Sequence, residues 1–239
     1  MTEPSDVTRL AAAREHVLER IAGACARVGR DPASVALVAV SKTVPPPRLR
    51  AAMAAGLTVL GENRVQEAEA KIGEVPGASW HLVGPLQSNK AARALAAFAE
   101  IDSVDSVDLA RRLDRLAGEV RPAQRVPILL QVNVDGDPAK AGFEPAAIPA
   151  AVDAIATLSR LEVRGLMTVG RLVARAEDAR PTFVALRRLA ETLRSSDGRE
   201  ASGSLGPELS MGMSDDFEIA IEEGATVVRV GRALFGHRH

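Results

Sequence analysis

The chain has 239 residues, 46% of them hydrophobic and 26% charged, with a formal net charge of −1 and a mean hydropathy of +0.03. That profile excludes a disordered or collagen-like chain, and a (β/α) barrel of this length is routinely one domain. The 30 basic residues against 31 acidic ones create no field that would gather nucleic acid or an anionic membrane.

No run of about 18 apolar residues occurs, and the N-terminal stretch, interrupted by Arg9, Arg14 and Glu15, lacks the apolar core of a secretion signal. The one cysteine, Cys25, can close no disulfide within the chain, which fits a reducing, cytoplasmic setting. Only four of the basic residues are lysines (Lys42, Lys71, Lys90 and Lys140), the other 26 being arginines, and tyrosine is absent.

Residues 5–29 place Leu10, Val17, Ile21, Ala24 and Cys25 at helical spacing and stop at Gly29, which predicts an extra N-terminal helix ahead of the first strand. Strands and helices then alternate: strand 35–42, helix 46–56, strand 58–63, helix 64–73, strand 79–84 and helix 89–99. A weak strand at 101–106 leads into helix 107–120, with Ser106 as its N-cap. The second half gives strand 126–134, helix 144–159, strand 161–169, helix 179–194, strand 208–213, helix 214–224, strand 226–231 and a short helix around RALFG. Eight such repeats predict an α/β fold, a parallel sheet closed into a (β/α)8 TIM barrel over about residues 35–236, within one domain spanning 1–239. An open doubly wound sheet is the alternative. The Gly/Ser stretch 195–206 is the one long loop and is too short to divide domains.

Chemistry in such barrels sits at the C-terminal ends of the strands. The polar residues expected there are Lys42, Glu62, Asn63, Asn133, Asp135, Thr168, Ser210, Ser214 and Arg229, with His81 inside the third strand and Met167 near the end of the sixth. Lys42 ends an apolar strand in a chain that otherwise uses arginine. That suits an amine with imine chemistry, although a lysine simply reaching solvent fits the position as well. Ser214 as N-cap of helix 214–224, together with Gly231, suggests a phosphate cup at two helix N-termini; a plain helix cap and turn residue is the other reading. Asp215 and Asp216 would repel an anion, so they are expected to point away. Arg229 faces the barrel interior with Gly231, as a structural ion pair or as a donor to a ligand ring. His81 fits a hydrogen-bonded core histidine or a base. No spacing of histidines and carboxylates suggests a metal site.

The segments AVSKT (39–43), GENRVQE (61–67), WHLVGPLQSNK (80–90), LLQVNVDGDPAKAGF (129–143), LSMGMSDDFEIAI (209–221) and VRVGRALFG (228–236) closely resemble the pyridoxal 5′-phosphate homeostasis protein family. The resemblance runs collinearly from about residue 8 to 236. It implies a single barrel of the alanine racemase N-terminal-domain type (fold type III of the pyridoxal phosphate, PLP, proteins). It further implies that Lys42 carries PLP as an aldimine, that Ser214, Gly231 and the backbone of Arg232 hold the phosphate, that Arg229 faces the pyridine nitrogen, and that Asn63 and Ser210 form the pocket wall. Arg64 and Arg232 stand where family members often have an aromatic and a small hydroxyl residue.

The implied role is PLP homeostasis without substantial turnover, as a monomer serving PLP-dependent apo-enzymes as transient acceptors. An arginine beside the ring nitrogen would disfavour its protonation and weaken the electron sink, these 239 residues hold no tyrosine to act as the racemases' base, and none is expected to be left over for their second domain. The rival readings are a PLP-dependent racemase or lyase using His81 or Lys42, and a phosphosugar-binding barrel.

Overall fold

The computed structural model describes residues 5–171, 173–195 and 205–236. Most of the loop expected at 195–206, and His237 and His239, lie outside them. In chain order the elements are α1 (Asp6–Arg27), β1 (Ala36–Val40), α2 (Pro46–Ala54), β2 (Val59–Glu62), α3 (Val65–Ile72), β3 (Ser79–Leu82), α4 (Ala91–Ala97) and β4 (Glu100–Val104). They continue as α5 (Val107–Val120), β5 (Val126–Gln131), α6 (Ile148–Ala156), β6 (Leu161–Met167), α7 (Arg180–Ser195), β7 (Glu208–Ser210), α8 (Phe217–Glu222), β8 (Val227–Val230) and α9 (Arg232–Phe235). The eight strands form one closed parallel barrel in sequence order, with β8 hydrogen-bonded to β1 through the register Ala36↔Val227 to Ala39↔Val230. The open sheet is thereby excluded.

Helix α1 starts where Ser5 caps it by accepting from the Thr8 N–H, and buries Leu10, Val17, Ile21, Ala24 and Cys25. It packs on α2, α8 and α9, and so covers the β8–β1 seam. Alternation along the strands separates two apolar layers. The large one lies between sheet and helices and takes in Leu60, Trp80, Leu82, Ile101, Val228 and Val230. The small one, Val38, Val83 and Val227 with Val59 against them, is distinct from it. It belongs to the lumen, which also holds the polar groups His81, Glu100, Asp102, Ser210 and Arg229.

That lumen explains why 101–106 reads weakly as a strand. All of Glu100–Val104 is buried, but Asp102 faces the polar interior and the Ser103 hydroxyl donates to the Gly84 carbonyl at 2.6 Å, so apolar patterning is missing. Several strands end two or three residues early, because the chain turns toward the mouth there; β7 stops at Ser210, and Gly212 makes the turn at φ 92°. A Cβ at Gly212 would meet the Ala220 Cβ at 2.6 Å and the Phe217 Cα at 2.8 Å. Left-handed strain plus overpacking predicts that Gly212→Ala lowers stability by roughly 2–4 kcal/mol, read from urea unfolding midpoints. A loss below about 1 kcal/mol would show that the turn is not packed as described.

Candidate functional site

A cavity of about 730 Å³ opens at the C-terminal ends of the strands, and Lys42, Asn63, Ser214, Arg229, Gly231 and Arg232 all line it. Residues from four strand ends, far apart in sequence, thus meet at one mouth. A second cavity of about 770 Å³ lies at the opposite end, beside Trp80, Arg121 and Arg125. It holds none of the expected site residues, and its two arginines are engaged with main-chain carbonyls of Phe98 and Leu161.

Ser214 differs from its expected role. Helix α8 begins three residues later with Asp216 at its N-cap position, while the Ser214 Oγ accepts from the N–H of Gly231 at 3.2 Å and of Ala233 at 3.4 Å. The sharp turn after Gly212 carries residue 214 over the end of β8, so its hydroxyl caps α9 instead. The two acids do not point away either. Both reach the cavity wall, with their charges engaged: Asp216 accepts from the Met213 N–H at 2.6 Å, and Asp215 pairs with the Arg232 side chain. Burial pushes the Asp216 carboxyl above its ordinary value.

Arg229 is 4% exposed in the lumen just below the cavity. It donates from Nη1 to the Ser210 Oγ and from Nη2 to the Thr168 carbonyl, both at 2.7 Å. Burial pulls its pKa down, while the Asp102 and Asp216 carboxylates oppose that shift. Ser210 was expected on the pocket wall; it is fully buried beneath Arg229 and aims the guanidinium. Thr168 shares this task through a backbone atom, which residue type cannot reveal.

Glu62 also lies away from the cavity. With Ser41 it faces the helix layer, where Lys71 meets both, so that Lys42 and Asn63, one residue further on, face the mouth. Asn133 and Asp135 serve the loop above β5. The Asn133 amide donates to the Asp137 carbonyl at 2.8 Å, and the Asp135 Oδ1 accepts from the Thr182 hydroxyl at 2.6 Å. Lys140 donates to the Gly170 carbonyl at 2.9 Å, tying this loop to the next, and Met167 is core.

His81 occupies the lumen floor. Its Nδ1 is 3.4 Å from the Asp102 Oδ1 and 4.0 Å from the Glu100 Oε2, a grouping that sequence spacing did not signal. Burial opposes the imidazolium, but the Asp102 and Glu100 carboxylates outweigh it and raise the His81 pKa. Burial, then the Asp102 charge, pushes Glu100 up to about 7.

The donor set at the mouth fits an aromatic aldehyde that carries a phosphate monoester: a primary amine on Lys42, N–H groups and a hydroxyl gathered at Gly231, Ala233 and Ser214, and an aimed guanidinium on Arg229. Comparison with known proteins places the barrel first by class: the model of the alanine racemase N-terminal domain matches residues 17–239. A "Pyridoxal phosphate homeostasis protein" of Pseudomonas aeruginosa is 44% identical over 93% of both chains, and one of Aquifex aeolicus is 42% identical over 93% of this chain and 95% of its own. The chain belongs to that family. PipY of Synechococcus elongatus, solved with PLP bound, is 42% identical, covers 92% of this chain and 100% of its own, and superposes with a TM-score of 0.78.

The floor cluster predicts a pH dependence. Glu100 ionises near 4.5 when unfolded and about 7 when folded, so between these values only the unfolded state gives up its proton and stability falls as pH rises. The raised pKa of His81 acts in the same sense, its contribution being present below 6.5 and lost above. The thermal midpoint should drop between about pH 5 and 8, with up to roughly 3 kcal/mol due to Glu100, and Glu100→Gln should flatten the curve. A midpoint rising over this range would contradict the assignment.

Proposed function

We propose that the chain binds PLP at this mouth, holds it on Lys42, and works in the cytoplasm as a single-domain monomeric carrier in PLP homeostasis, without substantial turnover. The observation that carries the reading is the convergence of Lys42, the Ser214–Gly231 donor group and Arg229 on one cavity, in a chain 42% identical to a protein solved with PLP bound. When bound, PLP supplies an aldehyde that reacts reversibly with a primary amine.

In this reading the Gly231 and Arg232 backbone and the Ser214 hydroxyl take the phosphate, leaving the Arg232 side chain with Asp215. Arg229, fixed from below by Ser210 and Thr168, faces the ring nitrogen and keeps a proton off it, since two adjacent positive charges are disfavoured. Asn63 lines the wall. PLP-dependent apo-enzymes are the proposed acceptors. The absence of tyrosine, and the place of His81 in the floor cluster outside the cavity lining, count against the racemase or lyase alternative.

Borohydride trapping of the PLP-loaded protein should label Lys42, and Lys42→Ala should lose the label while keeping its far-UV circular dichroism; label on Lys71, Lys90 or Lys140 would refute the assignment. Exchange of the alanine Cα hydrogen for deuterium at rates typical of enzymes, roughly 1–10³ s⁻¹, would replace the carrier by a racemase.

Ser214→Ala should weaken PLP binding roughly 10- to 150-fold, the worth of a charge-assisted hydrogen bond of about 1.5–3 kcal/mol, and leave pyridoxal binding nearly unchanged. Equal losses for both ligands would remove the phosphate from this corner.

A further inference from the structure

A buried charged network lies directly behind Lys42, in the helix layer. Ser41 and Glu62 are 0% exposed and Lys71 8%. The Glu62 Oε1 accepts from the Lys71 Nζ at 2.7 Å and from the Ser41 hydroxyl at 2.8 Å. The Lys71 Nζ also donates to the Ser41 carbonyl at 3.0 Å, and that carbonyl belongs to the peptide joining Ser41 to Lys42. One ammonium, carried on α3, therefore holds the peptide plane from which the Lys42 side chain departs.

The turn that follows is strained. The same Ser41 carbonyl accepts from the Val44 N–H at 3.0 Å, closing a four-residue turn over Ser41, Lys42, Thr43 and Val44. Its third residue, Thr43, has φ 66° and is the one non-glycine with positive φ among the described residues. Glycine is the usual occupant there, and a β-branched residue in this region costs about 1–3 kcal/mol. Such a conformation persists only where its surroundings over-determine it.

The network is also poorly arranged for stability alone. The Glu62 Oε2 is buried without a hydrogen-bond partner among the described residues, and burial raises the Glu62 pKa despite Lys71. A well-packed apolar pair would avoid that desolvation.

We propose that Ser41, Glu62 and Lys71 form a positioning device for Lys42: the Lys71–Glu62 pair clamps the Ser41–Lys42 peptide, holds the strained turn at Thr43, and so aims the Lys42 amine into the cavity. The inference rests on the reading of Lys42 as the PLP-bearing residue and goes beyond it, since neither Glu62 nor Lys71 lines the cavity. Lys71 is thereby assigned a fixed structural partner and not a ligand.

The test replaces both charges at once, Glu62→Gln with Lys71→Met, so that no bare charge remains buried. The first readout needs no cofactor: the rate at which an amine-acylating reagent modifies Lys42 in the PLP-free protein, followed against pH by peptide mass mapping. The second is borohydride trapping of added PLP at Lys42. In the folded variant, well below its melting temperature, the pH profile of Lys42 labelling should move and the trapped fraction at limiting PLP should fall roughly tenfold or more, as misplacement of a reacting group by about 1 Å implies.

A folded variant with an unchanged labelling profile and unchanged trapping overturns the inference and leaves Lys42 as the PLP residue. Trapped PLP that maps away from Lys42 in the unsubstituted protein overturns the functional reading, and the inference with it. Should the double variant fail to fold, Lys71→Met alone, which keeps the Ser41–Glu62 hydrogen bond, is judged by the same two readouts.

Discussion

A parallel strand closed into a barrel gives each residue one of two destinations, the lumen or the helix layer, and successive residues must take opposite ones. Most of what is particular to this protein depends on that constraint. Because Ser41 and Glu62 turn outward to meet Lys71, Lys42 and Asn63 turn to the mouth. Because Val228 and Val230 pack under the helices, Arg229 enters the lumen. A one-residue slip of β1 or β8 would exchange these sets and leave the mouth without its amine and the lumen without its guanidinium.

The lumen of this barrel holds several buried polar and charged side chains. Barrel interiors are commonly filled by layers of branched apolar side chains. Here a thin apolar group around Val38, Val83 and Val227 shares the space with His81, Asp102, Glu100 and Arg229. Buried charge is costly unless compensated, and compensation is arranged across strands: Arg229 donates to Ser210 and to the Thr168 carbonyl beneath it, while the charge of Asp102 acts on both His81 and Arg229. The result is a buried guanidinium held in a fixed orientation under the mouth.

Fold alone does not separate a carrier from an enzyme. The proposed carrier role draws on local chemistry: an arginine aimed from the lumen, and His81 held in the floor cluster with Asp102 and Glu100.

By itself the sequence determined the alternation of strands and helices, favoured a closed barrel over an open sheet, and named Lys42, Asn63, Ser214, Arg229, Gly231 and Arg232, which line the cavity, alongside Ser210 and Glu62, which do not. Those signals are local: apolar runs at strand spacing, amphipathic helices, and distinctive short segments such as SMGMSDD. Tertiary structure decided the partners. That Ser214 caps α9 and not α8 follows from the turn at Gly212, and that Ser210 lies beneath Arg229 follows from the pairing of neighbouring strands. The Lys71–Glu62–Ser41 network joins α3, β2 and the turn after β1, and the Glu100 and Asp102 carboxylates meet His81 only through strand register. Such groupings depend on register and on the direction in which each side chain leaves the barrel wall, and no single segment encodes either.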